Sequence, residues 1–267
     1  MYKLVWKDKF LIDGKPDSNI WNLETGGHGF GNNEDQFYTN NLKNAFVENG
    51  ILNIVAYKED FENRHYTSAK LTTYGKKSIN KGRIVVKAKL PKGKGTWPAI
   101  WLLPNSIQTE KEPWPLCGEI DIVEHVGRNP NVIHFSLHSE KYNHRKNNHK
   151  THFVENTNIY DDFVSYEIRW DENKIAYYVD EIKQVEFYKD ESASNKEWPF
   201  DKPYYLIINL AIGGTWGGEV DDSIFPVAMQ ISSVEVYEKS WLNGKKNYNL
   251  WNSQKFKSIT SNHFQSY

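Results

Sequence analysis

The chain of 267 residues lacks most of the features by which proteins find charged or lipid partners. It has one cysteine, Cys117, so no internal disulfide can form. Next to carboxylates that already account for a reaction, that thiol reads as a small buried residue rather than a nucleophile. The formal net charge is −1, which excludes the basic field that a nucleic acid or an anionic membrane would require. No apolar run approaches the roughly 20 residues of a membrane span. The start, Met1-Tyr-Lys-Leu-Val-Trp-Lys-Asp, has neither a long apolar stretch nor a small-residue cleavage site, so no signal peptide is visible in this stretch and the compartment is left open. A basic segment around Lys141–Lys150 is short and interrupted by Asn and His, as in a solvated loop. No helical pattern longer than two turns, no fixed-period repeat and no Pro- or Ser-rich linker is found.

What the chain does have is aromatic side chains, 15% of all residues, including 10 Trp. Indoles are rarely fully buried, so some are expected to face a groove, and the flat apolar faces of sugars suit them. The dominant period is two. Ile51–Tyr57, Tyr66–Tyr74, Arg83–Leu90, Val164–Trp170, Lys174–Val179, Tyr204–Ile212 and Ile231–Tyr237 alternate as strands do. Asp171-Glu-Asn, Asn49-Gly50, Lys92-Gly93 and Asp13-Gly14 mark turns. Many short strands without intervening helices predict an all-β sandwich or barrel. One domain over 1–240 is expected, followed by a polar extension, 241–267, carrying Trp241, Leu242, Leu250 and Trp251, which either packs on the outside or hangs free.

The segment Glu119-Ile-Asp-Ile-Val-Glu124 carries the chemistry. In a strand, Glu119 and Asp121 share one face. Glu124 is five positions from Glu119, an odd spacing that a regular strand would turn away. One extra residue near Ile122-Val123, a β-bulge, returns it to the same face. Three acids on one face repel one another and push their pKa values apart. Two carboxyls about 5–5.5 Å apart suit retaining glycoside hydrolysis, one as nucleophile and one as acid/base. In that reading Glu119 attacks, Glu124 protonates the leaving oxygen, and Asp121 orients Glu119. A solvated acidic face and a divalent-metal site, with nearby His as ligands, are the alternatives.

These residues sit within a longer set of motifs. They are Glu24-Thr-Gly-Gly-His-Gly-Phe-Gly-Asn-Asn-Glu, Tyr66-Thr-Ser-Ala-Lys-Leu-Thr-Thr, Leu90-Pro-Lys-Gly-Lys-Gly-Thr-Trp-Pro-Ala-Ile-Trp-Leu-Leu-Pro, Trp114-Pro-Leu-Cys-Gly-Glu-Ile-Asp-Ile-Val-Glu, Trp198-Pro-Phe-Asp and Asn209-Leu-Ala-Ile-Gly-Gly-Thr-Trp216. In this order they resemble glycoside hydrolase family 16, in its laminarinase-like branch with the bulged Glu-x-Asp-x-x-Glu motif, over about Trp21 to Tyr237. The resemblance implies a β-jelly-roll sandwich of two antiparallel sheets with a concave substrate cleft. It implies hydrolysis of internal β-linkages with retention, Glu119 as nucleophile, Asp121 as its assisting acid and Glu124 as acid/base. It places His138 beside the acid/base. Trp97, Trp101, Trp114 and Asn33 match positions near the glycone subsites, and Asn209, Trp216 and Lys70 match further cleft positions. Trp101 reads equally well as core.

Departures are informative. Lys70 stands where the family commonly has Arg, keeping the charge but losing the planar fork. Lys9 and Ser232 stand where acids are common, near a convex-side Ca²⁺ held by many members, which disfavours that ion here. No cofactor is expected. His134, His138, His144, His149 and His152 cluster in sequence, but at no zinc spacing, so no metal site is expected. Ser139–Lys150 lacks the Gly-rich character usual there and is expected to reshape one end of the cleft. The expected function is an endo-β-1,3- or mixed β-1,3/1,4-glucanase, acting as a monomer on a β-glucan polysaccharide or oligosaccharide, with neither nucleic acid nor membrane as partner. A transglycosylase or galactanase of the same family is one alternative, and a non-catalytic β-glucan-binding protein is another. All three acids being present argues against the binding protein, and the lack of a basic cluster near the motif argues against sulfated galactans.

Overall fold

Alternating burial builds about half of the described residues into strands. The computed structural model describes residues 1–240, and the expected extension 241–267 lies outside the described residues. In chain order the strands are β1 Tyr2–Asp8, β2 Asn22–Glu24, β3 Gln36–Tyr38, β4 Ala45–Glu48, β5 Ile51–Phe61 and β6 Arg64–Ser68. There follow β7 Lys70–Thr72, β8 Gly82–Lys89, β9 Thr96–Pro104, β10 Glu119–His125, β11 Val132–His138 and β12 Lys150–Glu155. The last are β13 Val164–Trp170, β14 Lys174–Val179, β15 Ile182–Tyr188, β16 Tyr204–Ile212 and β17 Val227–Lys239. Helical structure among the described residues is limited to single turns such as Ser106–Thr109, His144–Lys146 and Gly214–Gly217.

Two sheets result. The larger runs β15-β14-β13-β8-β17-β5-β6-β3, with β1 on β17 and β4 on β5; the smaller runs β12-β11-β10-β9-β16-β7-β2. Named strands pair antiparallel except β3 with β6. This is the expected jelly-roll sandwich. The two layers bury Ile84, Val86, Ile168 and Trp170 of the larger sheet against Ile120, Ile122, Phe135 and Ile208 of the smaller. Each such side chain contributes about 1.5–3 kcal/mol on leaving water. β8 alternates as a two-faced strand should, whereas all nine residues of β16 are buried, because the core covers one side and the cleft walls the other.

The expected strand Tyr66–Tyr74 is two strands in two sheets. The chain leaves the larger sheet after Ser68 and enters the smaller at Lys70. At the corner Ala69 is fully buried, and the Ser68 hydroxyl donates to the Leu210 carbonyl at 2.6 Å. The hairpin across Asp171-Glu-Asn is formed between β13 and β14. Strands β1, β2, β3, β4, β9, β11, β12 and β15 were not expected from alternation.

Candidate active site

The cleft lies on the outer face of the seven-stranded sheet and has a volume of about 690 Å³. On β10 the register shifts between Asp121 and Glu124 against β11, and between Asp121 and Val123 against β9. Here lies the bulge. Ile122 and Val123, which alternation would send to opposite sides, both enter the core. Glu119, Asp121 and Glu124 therefore share the cleft floor. Gly118 immediately precedes the strand at φ +86°, and a Cβ there would meet the Tyr204 hydroxyl at 2.4 Å and Pro199 Cγ at 2.6 Å. Only glycine fits that approach, and it sets the position from which Glu119 enters the cleft.

The pairings place one continuous row across the whole sheet. Phe153, His134, Glu124, Ala99, Asn209, Lys70 and Glu24 are neighbours on β12, β11, β10, β9, β16, β7 and β2 in turn. At about 4.8 Å per strand the row spans about 29 Å. Glu124 stands near its middle, with the small side chain of Ala99 beside it.

The β9–β16–β7 side is tied together by hydrogen bonds. Trp101 Nε1 donates to Asn209 Oδ1 at 2.7 Å, Asn209 Nδ2 donates to the Tyr38 hydroxyl at 3.0 Å, and that hydroxyl donates to Glu34 Oε2 at 3.2 Å. Gln36 Nε2 also donates to Glu34 Oε2, at 2.6 Å. Lys70 Nζ pairs with Glu24 at 3.0 Å and lies 4.8 Å from the Phe30 ring centre and 5.5 Å from that of Trp101. Trp101, the residue that read equally as core, lines the cleft, as do Trp97, Asn209, Lys70 and Trp216. Trp97 Nε1 donates to Glu124 Oε1 at 3.1 Å, and Trp216 stands edge-on to Trp97 at 5.4 Å.

The β11–β12 side is lined by imidazoles. His138 Nε2 lies 3.3 Å from Asp121 Oδ2 and 3.7 Å from Glu119 Oε1. His149 stacks on His138 at 5.0 Å and 12°, and His144 meets His138 edge-on at 5.2 Å. Ser136 and Thr151 share a hydrogen bond at 3.0 Å, and His134 packs at 5.9 Å from Phe153. The segment that read as a solvated loop thus sends His144 and His149 into the cleft. His152 lies outside the lining, since β12 alternates and turns it from Thr151 and Phe153.

One expected contact differs. Asn33 is exposed with φ +55° and does not line the cleft; that left-handed turn presents its neighbour Asn32 instead. Trp114 is half-buried behind the lining and packs beside His138 at 5.9 Å, next to Glu119, and it also meets His144 at 5.0 Å and the Arg145 guanidinium at 4.6 Å. Sequence reading did not single out His28, Phe30, Asn32, Glu34, Tyr38, Ser136, Thr151 or Phe153 as lining residues. The first five are in or just beyond the Gly-rich motif after Glu24, which was the available signal.

Burial raises the pKa of all three acids. Glu119 and Asp121 are pushed well above the usual carboxylate range, Glu119 further by the Asp121 charge. Glu124 rises to about 8, through burial and then Asp121, with His138 opposing. The three titrate as a coupled group, and near neutral pH the group retains protons. Glu119, Asp121 and His138 also bring ligand atoms within 4.8 Å of one another, close enough to grip a cation. Cys117 is buried, and its thiol is pushed up to about 12, which suits packing and not nucleophilic attack.

A two-sheet sandwich whose open face carries three largely buried carboxyls beside aromatic side chains is the arrangement expected of a carbohydrate-cleaving hydrolase. Residues 32–225 match the pattern of glycosyl hydrolases family 16. The chain belongs to this family and is a glycoside hydrolase. It is 43% identical over 243 residues to a beta-glucanase of Rhodothermus marinus, covering 88% of this chain and 85% of that one. It is 35% identical over 261 residues to glucan endo-1,3-beta-glucosidase A1 of Niallia circulans, covering 88% of this chain and 38% of that longer protein. The X-ray structure of the laminarinase from Rhodothermus marinus superposes with a TM-score of 0.88 at 42% identity, covering 90% of this chain and 99% of that one.

Proposed function

We propose that the chain is a retaining endo-β-glucanase cutting internal β-1,3 or mixed β-1,3/1,4 linkages. The observation that carries the reading is the bulged β10, which sets Glu119, Asp121 and Glu124 midway along a cleft lined from β12 to β7. Carboxylates midway along such a cleft favour cutting within a chain. The names borne by the two relatives support a β-glucan as substrate.

In the first step the proton shared by Glu119 and Asp121 sits on Asp121, and Glu119 attacks the anomeric carbon as a carboxylate. The glycosidic C–O bond breaks, and Glu124 gives its proton to the departing oxygen. Its pKa of about 8 keeps it protonated at neutral pH, as that role requires. In the second step Glu124, now a carboxylate, takes a proton from water. The water oxygen bonds to the anomeric carbon, and Glu119 leaves with the ester electrons. Two inversions return the β configuration. Asp121, beside Glu119 and within reach of His138, is a positioning residue that shares protons with Glu119. The Trp101–Asn209–Lys70 side would hold the glycone.

The reaction draws on side chains alone, and the reading assigns no cofactor. It assigns no convex-side Ca²⁺ either, because Lys9 Nζ already pairs with Glu235 at 3.0 Å and Ser232 spends its hydroxyl on the Lys87 carbonyl at 3.4 Å.

The test is hydrolysis of laminarin and lichenan by wild type, Glu119→Gln and Glu124→Gln, with NMR of the first anomer released. The expected result is a β-anomer from wild type and a collapse in rate for both variants. Unchanged rates, or an α-anomer first, would overturn the reading.

A further inference from the structure

The cleft wall over β11 and β12 has a feature that the reaction above leaves unused. Phe153 is 63% exposed, yet it lines the cleft at the open end of the seven-residue row through Glu124. Among the described residues it is the large hydrophobic side chain that combines high exposure with a place in the cleft. Its ring is not loose. His134 packs against it at 5.9 Å, and His134 in turn meets Trp216 edge-on at 4.9 Å. A chain of rings therefore braces Phe153 back to Trp97, which holds Glu124.

Polar atoms along the same wall, at His134 beside the ring and at His149 beside His138, are equally unspent. His134 Nε2 and His149 Nδ1 are buried without a hydrogen-bond partner in the protein. Buried polar groups are nearly always paired. Burial holds both imidazoles down at a pKa of about 4, so at neutral pH each is uncharged, with one ring nitrogen donating and the other accepting. An exposed ring packed on His134, in a wall whose neutral donors and acceptors lack partners, is complementary to a sugar chain, which offers apolar faces and rims of hydroxyls. The two imidazoles offer no charge to an anion.

We infer that Phe153 with His134 forms a sugar-binding subsite on the leaving-group side of the scissile bond, with His149 on the same wall beside His138. The inference rests on the glucanase reading, which puts the glycone on the Trp101 side of β10 and so leaves β11–β12 for the departing chain. In it Phe153 is a stacking platform and the two imidazoles bond hydroxyls. The ring contact and the desolvated hydrogen bonds make this subsite a determinant of where along a chain the cut falls.

The test is a ladder of β-glucan oligosaccharides labelled at the reducing end, cut by wild type, Phe153→Ala and Phe153→Trp. Phe153→Ala is expected to lower kcat/KM about 2- to 10-fold, mainly through KM. The loss is greatest for substrates that extend two or more units past the cut, and the cuts shift toward the reducing end. Phe153→Trp restores both rate and pattern. Thermal melting of Phe153→Ala at the wild-type temperature shows that the fold is intact. A wild-type cutting pattern in Phe153→Ala, an equal loss at every length, or no rescue by Trp overturns the subsite while the glucanase reading stands. A wild type that cuts no glucan overturns both.

Discussion

The two sides of the cleft are built from the same sheet, yet they spend their polar atoms in opposite ways. Over β9, β16 and β7, Trp101, Asn209, Tyr38 and Glu34 are consumed in a run of hydrogen bonds, and Lys70 is clamped by Glu24. Over β11 and β12, His134 Nε2, His138 Nδ1 and His149 Nδ1 have no protein partner. The first wall is set before substrate arrives. The second has capacity left for it. Pre-set walls favour tight, geometrically strict binding, because little order remains to be imposed. Walls with unspent donors and acceptors favour adaptable contacts. The cleft therefore joins a rigid side to an accommodating one across the carboxylates of β10.

The sharpest break in that comparison is at its dividing line. Glu124→Gln removes the proton donor that serves both sides, and hydrolysis of unactivated glucan should fall about 10²- to 10⁴-fold. An aryl glycoside with a good leaving group should lose much less, since its departing oxygen needs no proton. Steady-state rates on the two substrates check this.

Next in size is the contrast between the walls. Trp101→Ala should lower kcat/KM about 10- to 100-fold, through lost apolar burial and the freed Asn209 amide. His149→Ala, which breaks no internal bond, should cost only about 2- to 10-fold. Equal losses would erase the distinction between rigid and accommodating sides.

The pH response sharpens the electrostatic part. Folded Glu124 holds its proton up to about 8, whereas an unfolded Glu releases it near 4.5. Between those values the native state binds more protons than the unfolded chain, so stability falls as pH rises through this window. Glu124→Gln lacks that contribution, and its melting temperature relative to wild type should climb from pH 4.5 to pH 8. Activity of wild type should decline as pH passes about 8. A melting difference that is flat in pH would refute the raised pKa.

The smallest effect is expected at Lys70. Lys70→Arg keeps the charge that faces Glu24, Phe30 and Trp101, and KM should move by less than about threefold, as for a single modest contact. Lys70→Met should cost more than Lys70→Arg. The reverse order in measured KM would mean that the charge is not what matters on the rigid side.

Much of this was legible in the chain. The odd spacing of Glu119 and Glu124 required a bulge at Ile122-Val123, and the register shift falls there. Alternation located strands such as β8, where one side meets the core. It failed at β12, where the polar Lys150 and His152 turn inward with Val154 at an edge while Phe153 faces the cleft. The Trp101–Asn209–Tyr38–Glu34 run was out of reach because Asn209 and Tyr38 are 171 positions apart. His144 and His149 were hidden by their setting, since a segment of Lys, Arg and Asn gives no local sign that two of its imidazoles turn inward. Asn33 was one residue away, because a left-handed backbone at that position shows Asn32 to the cleft.

The crossing at Ala69 has a mechanical meaning. One residue hands the chain from the larger sheet to the seven-stranded one, and the next is Lys70 at the far end of the cleft. The layers cannot shear past each other without dragging that ammonium along. A packing change around Thr67 or Ser68 in the larger sheet would thus be felt first at Lys70 and its Glu24 partner, ahead of the carboxylates.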